Sequence, residues 1–126
     1  LLTGLIVAGV VVGVIETVGM YLFPPADGFD PSNPDVGLLP TMAVVSVALA
    51  WLVGPTLGAL TATRIAQTTD RWPATVIGVL FLAADVANLL VIPSPAWLWA
   101  VGIAAPLLGA ALGYVLGRVD DLAVSD

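Results

Sequence analysis

Two carboxylates stand alone in long apolar runs, and they are the residues of this chain best placed to do chemistry. Glu16 is the one acid in residues 1–23, and Asp85 is the one acid in residues 73–92. Each is followed eight residues later by a proline, Pro24 and Pro93. Two acids close together in a low dielectric do not both ionise readily, so a pair of this kind is suited to holding a proton or a cation. An ionisable residue inside a membrane span is by default a functional candidate. The competing reading is structural, with two neutral acids hydrogen-bonding neighbouring helices. Asn88, one helical turn beyond Asp85, is the expected hydrogen-bond partner for either carboxylate.

Composition sets the surroundings of these acids. The chain has 126 residues, 60% of them hydrophobic and 10% charged, with mean hydropathy +1.09. Soluble domains carry about 25% charged residues. The apolar runs are long enough to cross a hydrocarbon core of ~30 Å. The expectation is an all-α integral membrane four-helix bundle in one domain, with spans at about 1–23, 36–63, 73–92 and 96–117. The first run is longer than a signal-peptide core and ends in aromatic residues and two prolines, so it reads as a retained span. The chain opens on Leu1 rather than Met, so a few residues are expected before it. An external loop, 24–35, and a cytoplasmic loop, 64–72, join the spans. Asn33-Pro34 reads as a cap opening the second helix, and Pro55 and Pro106 are expected to kink the second and fourth.

The absent residue types exclude much chemistry. There is no Cys and no His, hence no disulfide, thiolate, imidazole base or His-ligated metal. There is no Lys either, and no G-x-S-x-G or H-E-x-x-H motif. An enzyme is not expected, nor is a cofactor. The net charge of −6 argues against nucleic acid and against anionic lipid headgroups as partners. Asp27, Asp30 and Asp35 make a weak external cation candidate, but their spacing is not that of an EF-hand, and Asp27-Gly28, Asp30-Pro31 and Asn33-Pro34 are turn signals.

The three arginines set the orientation. Arg64, Arg71 and Arg118 fall on one side of a four-span protein, and the positive-inside rule makes that side cytoplasmic. The expected location is the cytoplasmic (inner) membrane, multi-pass, with both termini inside. Tyr21, Phe23, Trp72, Trp97 and Trp99 fall at span ends and fit aromatic belts, while Trp51 falls mid-span and reads as packing.

Two patterns bear on assembly. Pro55-Thr56-Leu57-Gly58-Ala59 and Pro106-Leu107-Leu108-Gly109-Ala110 echo one another. With the matched acids, they suggest a tandem repeat of two helical hairpins about an axis along the membrane normal, although apolar patterns of this kind also arise by chance. Small residues recur every four positions: Ser46, Ala50, Gly54, Gly58 and Ala62 in the second span, and Ala105, Gly109, Gly113 and Gly117 in the fourth. Gly9, Gly13 and Gly19 share the helical stripe of Glu16. All three sets are expected to let backbones meet closely, with packing inside the chain preferred over packing on a second protein.

The run Glu16 to Pro31, read as E-x3-M-x2-F-P-P-x2-G-x-D-P, resembles a pattern in a group of small four-span bacterial membrane proteins. Ala87-Asn88-Leu89-Leu90, Trp97 and Trp99 are similar to the same group. That resemblance implies the four-span fold and an inner-membrane location, and no activity. Glu16 and Gly19 also reproduce the E-x-x-G context of the small multidrug resistance transporters. The long Pro/Asp loop, the second acid at Asp85 and the lack of a third-span W-x-G depart from that family, so the similarity is one of architecture. The leading expectation is a structural or accessory membrane protein, with the lipid bilayer and a membrane-protein partner or a second copy of itself as partners. The alternative is a small proton-coupled transporter or ion pathway using Glu16 and Asp85.

Overall fold

In the computed structural model, residues 1–30, 32–33, 35–67 and 69–118 are described. They form four helices and no strand among the described residues: α1 (Leu2–Leu22), α2 (Thr41–Ala66), α3 (Trp72–Val91) and α4 (Ala96–Gly117). All four are long and apolar enough to cross a membrane, so the chain is an all-α, multi-pass membrane protein.

Prolines set most of the boundaries. α1 stops because Phe23 precedes Pro24 and is pushed out of the helical region, to φ −129° and ψ 73°. Ile92 does the same before Pro93 at the end of α3, with φ −104° and ψ 119°. α3 carries a proline in its first turn, where the missing N–H costs nothing.

The second span begins later than its sequence suggests. Pro34 lies outside the described residues, and α2 starts only at Thr41. Before it comes a short 3-10 turn, Val36–Leu38, whose Gly37 N–H donates to Asp35 Oδ1 at 2.9 Å. Leu39 is then held extended at φ −93° and ψ 138°, because the ring of Pro40 crowds the helical conformation of the residue before it. α2 closes on Gln67 in the left-handed region, φ 48°.

The helices are not equivalent in their packing. α1 lies along α2 and makes little other contact, α2 also packs on α4 and α3, and α3 packs on α4. Seating α1 takes very small residues. A Cβ on Gly4 would come within 2.6 Å of the Gly58 carbonyl oxygen, and one on Gly19 within 2.5 Å of Ser46 Cβ. Gly54 faces Val12 and the Ala8 carbonyl in the same way. On the opposite side of α2, Gly109 and Gly117 of α4 sit against the Leu52 and Leu60 carbonyls, and Gly113 between them meets the Thr56 carbonyl. Each of these contacts admits glycine alone at helix-to-helix van der Waals distance.

The glycine ribbons thus meet the opposing backbones, not each other. Gly58 and Gly109, matched in the sequence echo, rest on different helices. Gly9 and Gly13 take no part: a Cβ on either would meet nothing within 4 Å. At about 100° per residue, Gly4, Ala8, Val12 and Gly19 centre the buried face of α1 roughly 80° away from Glu16. Glu16 therefore lies on the border of that face, and Gly9 and Gly13 fall beyond it.

The core divides into two layers. Toward the loop end, Val44, Trp51, Leu89, Leu98 and Ala105 pack together, with Val36 and Leu39 over them. Toward the arginine end, Ala59, Ala62, Ala74, Ile77 and Ala110 form a tighter, smaller-residue layer. Trp51 makes the first layer bulky and uneven, whereas alanines let the second close.

Candidate functional site: an intramembrane carboxylate pair

Glu16 and Asp85 stand at matched depth. Each lies six residues before the last residue of its helix, 16 against 22 in α1 and 85 against 91 in α3. That is about 9 Å below the loop-end helix termini at 1.5 Å per residue. Asp85 is 2% exposed, and its Oδ2 is buried with no hydrogen-bond partner. Glu16 is half-buried. The two carboxylates lie within electrostatic range of one another.

Trp51 joins the helices at this level. Its ring packs where Gly102 leaves room: a Cβ there would lie 2.9 Å from Trp51 Cζ3 and 2.7 Å from Leu89 Cδ1. Its ring lines the same cavity wall as the Glu16 carboxylate, where the indole N–H is a donor available to it. A tryptophan buried in a membrane needs a partner for that N–H, and this requirement was the signal in the sequence that Trp51 does more than pack. Trp51 and Gly102 also occupy corresponding places in the echoed hairpins, each four residues before its helix's internal proline. One half supplies the large ring and the other the space for it.

Those prolines add a further polar feature. Pro55 has no N–H to give the Trp51 carbonyl, and Pro106 has none for the Gly102 carbonyl. Two main-chain oxygens within the spans thereby lose their ordinary helical donor.

A cavity of about 190 Å³ reaches Glu16 from the loop end, and Asp85 stands behind its wall. Glu16, Trp51, Asn88 and Leu89 line its deep part, and Val36, Leu39, Ser94 and Leu98 its outer part. A wider groove of about 520 Å³ shares Val36, Leu39, Val44 and Ser94 with it and continues outward past Pro93, Pro95 and Trp97. Asn88 faces this cavity with Glu16 and is exposed. Its amide makes no hydrogen bond to either carboxylate, contrary to the sequence expectation. The reason is rotational: Asp85 and Leu89 share the buried face of α3, and Asn88 turns out of it.

No basic side chain balances the acids. Arg71 is fourteen residues from Asp85 along α3, about 21 Å. α2 and α4 contribute no titratable group at this depth, since Arg64 and Tyr114 belong to the opposite end.

The loop acids behave differently. Asp27, Asp30 and Asp35 are exposed, and no group of three acids that could hold a metal ion occurs among the described residues. Asp30 Oδ1 accepts from the Ser32 hydroxyl at 2.7 Å and the Ser32 N–H at 2.9 Å. These bonds hold its carboxyl below the usual carboxylate range. Asp30 and Asp35 thus use their oxygens to form turns. Comparison of the chain with protein-family models, with curated proteins and with solved structures found no match.

Proposed function

We propose that this non-enzymatic membrane protein binds a proton or small cation between Glu16 and Asp85, as a small proton-coupled transporter or ion pathway. One observation carries the reading: two carboxylates at one depth and within electrostatic range, with no basic partner, of which Glu16 lines a cavity that opens toward the loop end. An uncompensated charge at mid-bilayer costs ~2.5–3.5 kcal/mol on the insertion scale, so the pair favours a positive companion. The Trp51 and Gly102 carbonyls, short of helical donors, are oxygens of the kind that interrupted helices offer to cations in transporters. The alanine-rich layer below closes the other side, so a transport cycle requires the helices to shift and open it.

The test is cation or proton flux in proteoliposomes, driven by a gradient. Flux should depend on pH and be abolished in Glu16→Gln and in Asp85→Asn, both of which keep shape and hydrogen-bonding capacity. Flux no greater than in protein-free liposomes, or unchanged in both variants, rejects the reading.

A second reading, a structural or accessory subunit, rests on the outer face of α1. Gly9 and Gly13 look onto open space, and a shallow depression of about 370 Å³ is lined by Val10, Gly13, Val14, Thr17 and Val18. A second copy or a partner helix seated there would use the small residues that the chain itself leaves uncovered. Gly13→Leu should then dissociate an oligomer or a co-purifying partner in mild detergent without lowering the thermal stability of the chain.

A further inference from the structure

The arginine end carries a feature that the carboxylate site does not use. Arg71 at the start of α3 and Arg118 at the end of α4 stand on the ring of Tyr114, their guanidinium carbons 5.8 and 5.9 Å from its centroid. The Tyr114 hydroxyl donates to the Thr69 carbonyl, which fixes the ring. Below them a groove of about 390 Å³ runs between α3 and α4, open to the surroundings of the helices. Its floor is apolar and shallow-sided because Gly78 and Ala110 bring the two helices together there. From Arg71 to Val79 the groove extends about 12 Å along α3, close to the ~15 Å depth of one leaflet's hydrocarbon.

We infer that this groove is a binding site for an anionic phospholipid, with the phosphate between Arg71 and Arg118 and an acyl chain along the groove. Charge complementarity selects this occupant. The protein is acidic overall, and Asp70, Asp120, Asp121 and Asp126 neighbour its three arginines in sequence, yet the charged residues that line the groove are Arg71 and Arg118. Net charge argues against an anionic headgroup, but local placement decides binding within a Debye length of about 10 Å. Asp70 precedes Arg71 but does not line the groove. Arginine forks suit a phosphodiester, and the cation–π contacts hold both guanidinium groups in place before the lipid arrives. Basic pockets between spans, at the headgroup level, have this chemistry.

The test uses the full chain in vesicles and the fluorescence of Trp72, which is exposed beside Arg71. Trp51, Trp97 and Trp99 are replaced by Phe, so that Trp72 alone reports. The probes are brominated phosphatidylglycerol and brominated phosphatidylcholine, each diluted into unbrominated phosphatidylcholine. The site should take up phosphatidylglycerol with roughly thirtyfold preference, from two arginines near the surface at about 1 kcal/mol each. The double variant Arg71→Gln, Arg118→Gln should lose that preference. Ala111→Phe, which fills the groove and keeps both charges, should lose it too. Arg64→Gln, at the same end but outside the groove, should keep it. Equal quenching by the two lipids overturns the inference. So does an equal loss of preference in Arg64→Gln, which would make the attraction a property of the whole surface, and so does full retention in Ala111→Phe. Circular dichroism of each variant confirms that it is folded.

Discussion

At the residue scale, the account turns on Glu16, Trp51 and Asp85. Glu16 and Asp85 declare themselves in the sequence because a carboxylate in an apolar run is costly and rare. Trp51 does not, because an aromatic residue within a span is ordinary packing until its N–H is accounted for. Gly102 is silent in the sequence as well, since only the position of the Trp51 ring gives it a role. Substitutions should separate these parts. Glu16→Gln keeps an acceptor for the indole N–H and should unfold within about 0.5 kcal/mol of wild type. Trp51→Phe removes the indole N–H beside Glu16 and should cost ~1–3 kcal/mol where that N–H donates to the carboxylate. Gly102→Leu drives a side chain into the Trp51 and Leu89 contact and should cost a further ~1–3 kcal/mol or more. Thermal unfolding in one detergent, with all variants compared side by side, measures the order. Trp51→Phe as stable as Glu16→Gln would mean that the indole bond contributes nothing.

At the element scale, the existence and order of the four helices are legible from the apolar runs and the prolines between them. The start of α2 is less so, because a cap signal at Asn33 competes with Pro40, whose effect on Leu39 decides the boundary. Faces are the hardest to read. α1 is apolar on every side, so the acid and the glycines suggest a face without fixing it, and the glycine that seats α1 at its start is Gly4. The spacing of small residues shows that backbones meet closely, but not which helix they meet. Packing therefore gives two opposite predictions for glycines of similar appearance. Gly113→Leu must displace the Thr56 carbonyl, Ala59 Cβ at 2.7 Å and the Leu60 nitrogen at 2.8 Å. It should lower stability by ~1–3 kcal/mol or more. Gly9→Leu enters open space and should leave stability unchanged or raise it slightly, since leucine is a better helix former than glycine. Detergent melting curves that rank the two the other way round would place α1 on its opposite face.

At the scale of the whole molecule, the chain has a loop end that is acidic, open and bulky in its core, and a closely packed opposite end that holds all three arginines. Arg64 ties the C-terminal ends of α2 and α4 together on that side, its Nη2 donating to the Leu116 carbonyl of α4 at 3.2 Å, where a cation suits the helix C-terminus. We propose that the arginine end faces the cytoplasm, on the positive-inside rule. The chain has no native cysteine, so single cysteines report its sidedness cleanly. Cysteines at Ser32 and Ser94 should react with an impermeant thiol reagent on intact cells. One at Thr69 should react only after the membrane is opened. The reverse pattern would turn the cavity toward the cytoplasm and reverse the direction from which Glu16 is reached. The most direct test of the central claim, that Glu16 and Asp85 form one site, is an infrared titration of the carboxyl bands of the reconstituted protein. If the acids share a site, replacing Asp85 with Asn moves the pH range over which Glu16 titrates, and replacing Glu16 with Gln moves that of Asp85. Two carboxyls that each titrate as in the wild type when the other is removed would contradict it.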